Sequence, residues 1–195
     1  METAVSTYSK NSAYTPSIRL TYEDYCEFPD DGKRYEIIDG ELFMAPAPIT
    51  AHQRASIHLE YYIFEFLKNH PIGEVFHAPC DVLLSQSDIV EPDIFVVLKE
   101  NEHIITSKNI DGTPDFIVEI LSPYNRRMDL KRKRALYEKF GVKEYWIVDT
   151  EMETIQKLVL KEQQLVDGGI FEAEQKISSE VISGFEIDVK NVFNK

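Results

Sequence analysis

The chain has 195 residues, of which 43% are hydrophobic and 28% charged, and its formal net charge is −13. This composition excludes a fibrous or wholly disordered protein, leaves enough apolar material for a core, and argues against a protein that coats nucleic acid nonspecifically. No apolar run approaches the ~20 residues of a membrane-spanning helix and the first seventeen residues are polar, so we expect a soluble, cytoplasmic protein whose Cys26 and Cys80 are reduced thiols.

The chain begins with a polar segment and a predicted hairpin. Residues 1–17 show no periodicity and are expected to form a flexible tail, whereas residues 18–195 are expected to form one domain. In residues 34–44, RYEIIDGELFM, the dipeptide Asp39-Gly40 separates two short apolar runs. It predicts a β-hairpin with a type I′ turn, because both central residues of that turn need positive φ.

A helix and a series of short strands follow the hairpin. Thr50 with Gln53 predicts a capping box at the helix start, and Pro71 stops the helix. Strand-like runs then occupy residues 74–76, 81–84, 93–98, 115–121, 144–148, 154–160 and 169–177, with a turn at residues 167–169. Residues 129–140 predict a second helix, which Gly141 closes. This order predicts an α/β (α+β) domain with one central mixed sheet flanked by helices.

Glu119 interrupts a predicted strand that is otherwise apolar. Because side chains alternate along a strand, one face carries Phe116, Val118 and Ile120, and the other carries Asp115, Ile117, Glu119 and Leu121. An edge strand with a solvated glutamate is one explanation of this pattern. The alternative is a central, covered strand, in which the carboxylate needs a cation, a metal ion or a proton as its partner.

Two aspartates follow prolines at predicted strand starts, in Pro92-Asp93 and Pro114-Asp115. Either aspartate alone is compatible with a simple turn cap. Together with Glu119, these strand starts could bring two carboxylates onto neighbouring strands. That is the minimal site for Mg²⁺, which takes one or two carboxylates together with water and phosphate oxygens.

Lys133 has an unusual position in the second predicted helix. At about 100° per residue, an apolar arc is formed by Leu130, Leu136, Tyr137 and Phe140. Lys133 falls in the middle of this arc, near Asp129. Such a lysine either snorkels, with its stem packed and its ammonium in solvent, or points inward to meet an anion such as Glu119 or a substrate phosphate.

The same segment reverses the overall charge locally. Residues 126–144 contain eight basic and three acidic side chains, which gives them a net charge of +5. A basic run is typical of a solvated helix face. Beside a pair of carboxylates, it could instead attract a polyanion.

The string PDFIVEILSPYNRRMDLKRKRALYEKFGVKEYWIVD, preceded by EPDIFVV and YEIIDGEL, resembles the Uma-type family of restriction-endonuclease-like proteins, in the PD-(D/E)XK nuclease superfamily. The resemblance covers roughly residues 20–165. It implies a restriction-endonuclease-like central mixed sheet flanked by helices. It also implies a divalent-metal site for Mg²⁺ or Mn²⁺, hydrolysis of DNA phosphodiester bonds, and a homodimer.

Several positions match the motifs of this family. Asp93 corresponds to the aspartate of the Pro-Asp motif, and Glu119 corresponds to the (D/E) position. The usual lysine two residues later is absent, because position 121 is leucine, and Lys133 on the following helix takes its place. The resemblance therefore implies that Asp93, Glu119 and the main-chain carbonyl of Ile120 hold the metal, and that Asp93, Glu119 and Lys133 are catalytic.

Two further positions match less specific features of the family. Glu36, in YEIIDGEL, would join the catalytic residues from the hairpin, and His52 matches a recurrent position, although a histidine at a helix start is more often structural. A second class of function also stays open. The net charge of −13 favours a catalytically inactive nuclease-fold module that acts in protein or DNA interaction.

Overall fold

The computed structural model describes residues 19–29, 31–45, 47–121 and 126–194, without the side chains of residues 45 and 126–129. The tail expected over residues 1–17 lies outside these ranges. The helices are α1 (Tyr22–Cys26), α2 (Thr50–Asn69), α3 (Arg126–Phe140) and α4 (Lys190–Phe193), with a 3₁₀ helix at Lys99–Ile104. None of the helices in the described ranges is long and apolar enough to cross a membrane.

The strands form two larger sheets and one small one. They are β1 (Arg34–Ile38), β2 (Glu41–Ala45), β3 (Gly73–His77), β4 (Val82–Ser85), β5 (Asp88–Val90), β6 (Ile94–Leu98), β7 (Ile110–Asp111), β8 (Phe116–Ile120), β9 (Glu144–Asp149), β10 (Thr154–Lys161), β11 (Gln164–Glu172), β12 (Lys176–Ser178) and β13 (Glu186–Asp188). The central sheet has the order β11-β10-β9-β8-β6-β3, and a five-stranded sheet has the order β2-β1-β5-β4-β7. Strands β12 and β13 pair separately. The central sheet is mixed, because β8 runs parallel to β9 and antiparallel to β6.

The two faces of the central sheet bury different partners. Apolar residues of α2, spaced four apart, pack with Val118 and Trp146 on one face; they are Ala55, Leu59, Ile63 and Leu67. On the other face, Leu136 and Tyr137 of α3 and apolar residues of the five-stranded sheet pack with Ile117. The alternation predicted for residues 115–121 therefore holds, and it turns Glu119 toward α3 and the five-stranded sheet.

The structure confirms the mixed sheet, the flanking helices and the N-terminal hairpin. Asp39 and Gly40 have φ angles of 52° and 76°, as a type I′ turn requires. The second sheet is a difference from the expected single sheet. It arises because β1 pairs with β2 along one edge and with β5 along its other edge, and β5 is a short strand that the apolar runs do not reveal.

Three local predictions are wrong, and one of them is the single strand expected over residues 169–177, which is divided between β11 and β12. The cap of α2 is Ile49, without a side-chain hydrogen bond, because Thr50 already lies inside the helix. The turn expected at residues 167–169 is part of β11, where a β-bulge takes up the two glycines. The chain reverses instead at Glu162 and Gln163, whose φ angles are 50° and 64°.

Candidate active site

Asp93 and Glu119 lie side by side at one end of the central sheet. Strand β6 pairs with β8 so that Ile94 is opposite Val118, and Asp93 and Glu119 are the next residues on each side. An antiparallel pair brings the start of one strand beside the end of the other. For that reason Asp93, which precedes β6, meets Glu119 near the end of β8.

Glu119 is buried in a central strand, with 8% of its surface exposed. This burial contradicts the alternative of an edge strand with a solvated glutamate. Oε1 of Glu119 accepts hydrogen bonds from Lys133 Nζ at 3.0 Å and from the Tyr137 hydroxyl at 2.6 Å. Burial raises the pKa of Glu119 to about 8, with the negative charges of Asp93 and Glu36 acting in the same direction and Lys133 opposing them.

Helix α3 places the side chain of Lys133 in the protein interior. Lys133 is 6% exposed, and its ammonium donates to Oε1 of Glu36 as well as to Glu119, each at 3.0 Å. The ammonium therefore does not snorkel to solvent. Tyr137, one helical turn further on, is fully buried, and burial raises its pKa well above the ordinary value, so its hydroxyl stays a hydrogen-bond donor. The side chain of Asp129, expected in the same arc, lies outside the described part of the structure.

Two donors hold one oxygen of Asp93. Oδ2 lies 3.0 Å from Nε2 of His52 and accepts the amide hydrogen of Ile120 at 2.8 Å. Because an ionised carboxylate only accepts, Nε2 of His52 carries the shared proton. Burial by itself raises the pKa of Asp93, but the hydrogen bond and charge of His52, followed by the Ile120 amide, hold it below its usual value.

The five-stranded sheet and the residues next to it add further charged side chains to the site. Glu36 of β1 is buried, and its Oε1 also accepts the amide hydrogen of Glu91 at 3.0 Å. Arg34, on the same face of β1, donates to the Glu91 carboxylate at 2.8 Å and lies 3.9 Å from Asp93. Burial raises the pKa of Glu91, and Arg34 opposes that change.

Sequence reasoning did not predict Arg34, Glu91 or Tyr137 as members of the site. Arg34 and Tyr137 carried usable local signals: Arg34 shares a strand face with Glu36, and Tyr137 lies four residues after Lys133 in a helix. Glu91 had no such signal, because its place depends on the pairing of β5 with β1.

The charges of this cluster are unequal. Among the side chains that the structure describes, four buried carboxylates belong to it, Glu36, Glu91, Asp93 and Glu119, and they meet the permanent cations Lys133 and Arg34. A buried excess of negative charge needs protons or a cation. The raised pKa of Glu119 shows that this carboxyl binds a proton more readily than usual. A bound divalent ion would balance the charge in the other way.

The donor set fits a hard divalent cation. The hydrogen bonds to Asp93 end on Oδ2 and those to Glu119 on Oε1, so the other oxygen of each carboxylate accepts no hydrogen bond from a described residue, although Oδ1 of Asp93 lies 3.9 Å from Arg34. Within the described ranges, no group of three or more His, Cys, Asp or Glu side chains could hold a metal ion. Two carboxylates with the nearby carbonyl of Ile120 are nonetheless a usual set for Mg²⁺, which keeps several waters or phosphate oxygens.

Asp115 does not belong to this site. It lies at the opposite end of β8, where its carboxylate accepts from the Leu98 amide and from Asn101 and pairs with Lys143 at 2.8 Å. Asp115 is therefore buried because it fixes the segment around Leu98 and Asn101. Of the two strand-start aspartates, only Asp93 meets Glu119.

The basic segment at residues 126–144 is partly neutralised by acids. Lys133, Lys139 and Lys143 each pair with at least one carboxylate. Lys131 and Arg134 remain exposed, whereas Arg132 is half-buried, with its guanidinium 3.9 Å from the centre of the Phe43 ring. The described part of this surface is therefore less cationic than the sequence alone indicates.

Comparison with known proteins bears on the identity of the chain. No curated protein matches it. Its fold is similar to a crystal structure described as "a putative nuclease belonging to DUF820" from Anabaena variabilis ATCC 29413, with a TM-score of 0.75 and 19% sequence identity, over 89% of this chain and 97% of that chain. At this identity the likeness concerns the fold. Residues 22–190 match the Uma2 family model, described as "Putative restriction endonuclease". The chain therefore belongs to the Uma2 family, in agreement with the resemblance found in its motifs.

Proposed function

We propose that this protein is a divalent-metal-dependent endonuclease that hydrolyses phosphodiester bonds of DNA. The observation that carries the proposal is the buried ammonium of Lys133, 3.0 Å from Glu119 and from Glu36, at the sheet end that also holds Asp93. Metal-assisted phosphodiester hydrolysis uses acids to hold the ion and a cation to offset charge on the phosphate. Membership of the Uma2 family supports the same activity.

Asp93, Glu119 and the main-chain carbonyl of Ile120 would hold Mg²⁺ or Mn²⁺. When bound, the ion would offset the charge that develops on the phosphate and lower the pKa of a coordinated water molecule. The protein orients its own ligands for this purpose. His52 and the Ile120 amide hold Oδ2 of Asp93, and the Tyr137 hydroxyl holds Oε1 of Glu119, which leaves the second oxygen of each carboxylate for the ion.

Lys133 would orient the attacking water or offset the negative charge of the phosphate in the transition state. Glu36 keeps the ammonium at the site from the opposite side and could bind a second ion or a water molecule. We also expect a homodimer, because cutting both strands of a duplex at one place takes two sites. Sedimentation equilibrium would measure that state.

A second candidate function is a catalytically inactive module that binds protein or DNA. The net charge of −13 favours it, and so does the pairing of Lys133, Lys139 and Lys143 with acids, which lowers the positive charge open to DNA. This candidate predicts no metal-dependent cleavage of any DNA.

The test is incubation of the purified protein with supercoiled plasmid and with linear DNA, in Mg²⁺, Mn²⁺ or EDTA. We expect cleavage with either ion and none in EDTA. Asp93→Asn combined with Glu119→Gln should abolish cleavage, whereas Asp115→Asn, a buried aspartate of the same sheet outside the site, should keep it. Intact DNA after incubation of the parent protein with both ions, or cleavage by the double variant, contradicts the proposal.

A further inference from the structure

We propose that a cavity beside Asp93 binds an unpaired nucleobase of the substrate strand, next to the phosphate that is cut; this inference rests on the proposed function. The cavity has a volume of about 240 Å³ and lies between the first turns of α2 and the end of β3. Its lining includes Asp93, His52 and Arg34 of the candidate site, and Gln53, Ser56 and Ile57 of α2.

The wall that α2 supplies carries unused hydrogen-bonding groups. Nδ1 of His52 is buried and has no hydrogen-bond partner among the described residues, although the other ring nitrogen, Nε2, is bound to Asp93. The side chains of Gln53, which is exposed, and Ser56, which is half-buried, make no hydrogen bond to another described residue. For the buried Nδ1 of His52 a missing partner costs about 1–3 kcal/mol, whereas the exposed Gln53 and the half-buried Ser56 are open to a ligand from solvent. This wall therefore suits a ligand that can donate and accept hydrogen bonds.

The charges around the cavity favour a neutral ligand over a phosphate group. Among the described residues that line it are one arginine, Arg34, two carboxylates, Glu60 and Asp93, and two histidines, His52 and His77. Arg34 is already bonded to Glu91 at 2.8 Å, and His77 Nε2 lies 3.7 Å from Glu60. Since no excess of positive charge faces the space, an isolated phosphate would find little electrostatic attraction there.

The cavity also offers an apolar surface. Ile57 lines it and is 63% exposed, and Ala78 lies on the wall formed by the end of β3. A flat ligand with polar edges can contact such a surface with its face while its edges reach the amide of Gln53 and the hydroxyl of Ser56. Among the parts of a nucleic acid, the base has this chemistry, and enzymes read extruded bases by hydrogen bonds to their edges and by packing on their faces.

Asp93 connects the cavity to the proposed chemistry. Because its carboxylate belongs to both places, a group in the cavity lies beside the phosphate that the metal and Lys133 would act on. In a nucleic acid, the group next to a phosphate is the adjoining nucleoside. A base that is paired and stacked cannot enter, and extruding it from a duplex costs a few kcal/mol. The substrate class that fits is therefore DNA with an unpaired nucleotide at the cut.

The experiment measures binding without cleavage. Fluorescence anisotropy of a labelled short oligothymidylate, and of a blunt-ended, fully paired duplex of equal length, is recorded with the full-length protein in Ca²⁺, with gels to verify intact strands. We expect the single strand to bind at least about tenfold more tightly than the duplex, because the duplex bears the cost of extrusion. Thymidine should compete at millimolar concentration, and inorganic phosphate should not.

Two variants locate the binding in the cavity. Ser56→Trp fills the space and should weaken binding of the single strand about tenfold or more, whereas Glu65→Trp, which adds the same ring at an exposed position of α2 outside the cavity, should leave it unchanged. Gln53→Ala combined with Ser56→Ala keeps the space open, removes two polar groups and should weaken binding by a smaller factor. Melting temperatures verify that each variant folds. If Ser56→Trp does not fold, the affinity of the Gln53→Ala, Ser56→Ala variant for the single strand is the deciding measurement.

Three outcomes overturn this inference: equal affinity of the parent for single strand and duplex, competition by phosphate but not by thymidine, or parent-like binding by the folded cavity variants. The last outcome would mean that the cavity holds water only. Failure of the proposed function looks different, because a protein that binds the single strand through this cavity and cuts nothing in Mg²⁺ keeps this inference and loses the other. If the protein cleaves duplex DNA and Ser56→Trp does not change that cleavage, the proposed function is kept and this inference is lost.

Discussion

The side chains of Lys133 and Glu119 are 14 positions apart in the chain, yet Nζ and Oε1 lie 3.0 Å from each other inside the protein. Glu36 approaches the same ammonium from the other sheet. Removing one partner of a buried ion pair leaves an uncompensated charge and typically costs about 3–5 kcal/mol. Lys133 is therefore expected to contribute to stability as well as to turnover.

The first prediction separates those two contributions. Lys133→Met keeps the packed stem and removes the ammonium, and it should lower the rate of DNA cleavage about 10²-fold or more, as other single electrostatic groups do. Lys133→Ala should be equally inactive and less stable, because it also loses packing. Cleavage rates and melting temperatures of both variants make the measurement.

Lys131→Ala is the matched control, since Lys131 is exposed on the same helix and should cut almost as the parent does. A Lys133→Met protein that cleaves DNA at the parental rate would show that Lys133 has no part in the chemistry.

The second prediction concerns the divalent ion. Mg²⁺ or Mn²⁺ should raise the melting temperature, because an ion that binds only the folded protein stabilises it. The double variant Asp93→Asn, Glu119→Gln should lose this increase, and Asp115→Asn should retain it. A full metal response in the double variant would place the ion elsewhere in the protein.

The third prediction follows from the pKa of Glu119. The carboxyl has a pKa of about 8 in the folded protein, against 4.5 as its ordinary value, so between these values the folded state binds a proton that the unfolded state has released. The free energy of unfolding of the metal-free protein should therefore fall as the pH rises from about 4.5 to about 8, and this contribution should level off above that range.

Urea denaturation at several pH values in EDTA measures this slope. Glu119→Gln cannot release the proton and should have a shallower decline over the same range, while Glu65→Gln, at an exposed position of α2 outside the site, is the control. Equal slopes for the parent and Glu119→Gln would mean that Glu119 is ionised throughout.

The fourth prediction tests the basic segment as a DNA surface. Arg132→Glu combined with Arg134→Glu should weaken DNA binding and flatten its dependence on salt, because each lost phosphate contact lowers the slope by about 0.9. Lys108→Glu makes a charge reversal at an exposed position outside this segment and should change binding little. An unaltered salt slope in the double variant would exclude this surface.

Features that depend on near neighbours could be predicted from the sequence. The turn at Asp39 and Gly40 needs only two residues that accept positive φ, and both adopt it. The inward position of Lys133 follows from helical periodicity, because the residues that share its face are one turn away. Glu119 was recognisable for a similar reason, as the charged residue in a strand apolar on both faces.

Contacts between distant segments could not be predicted in the same way. His52 and Asp93 are 41 positions apart, and their hydrogen bond depends on where α2 packs against the sheet. The glycines at positions 168 and 169 show a different failure, because the same permissive residues serve a tight turn or a β-bulge. The strand partner decides between them: Asp167 and Gly169 lie opposite Leu158 and Lys157, with Gly168 as the extra residue.

The carboxylates of the site come from both of the larger sheets, with Glu36 on β1 of one and Glu119 on β8 of the other. Lys133 is bonded to both of them and so ties together two layers whose backbones belong to separate hydrogen-bond ladders. Separation of the sheets would pull the ammonium away from at least one acid. Opening of either sheet is therefore coupled to the state of the charge cluster, and hydrogen exchange of β1 and β8 amides should slow together when an ion is bound.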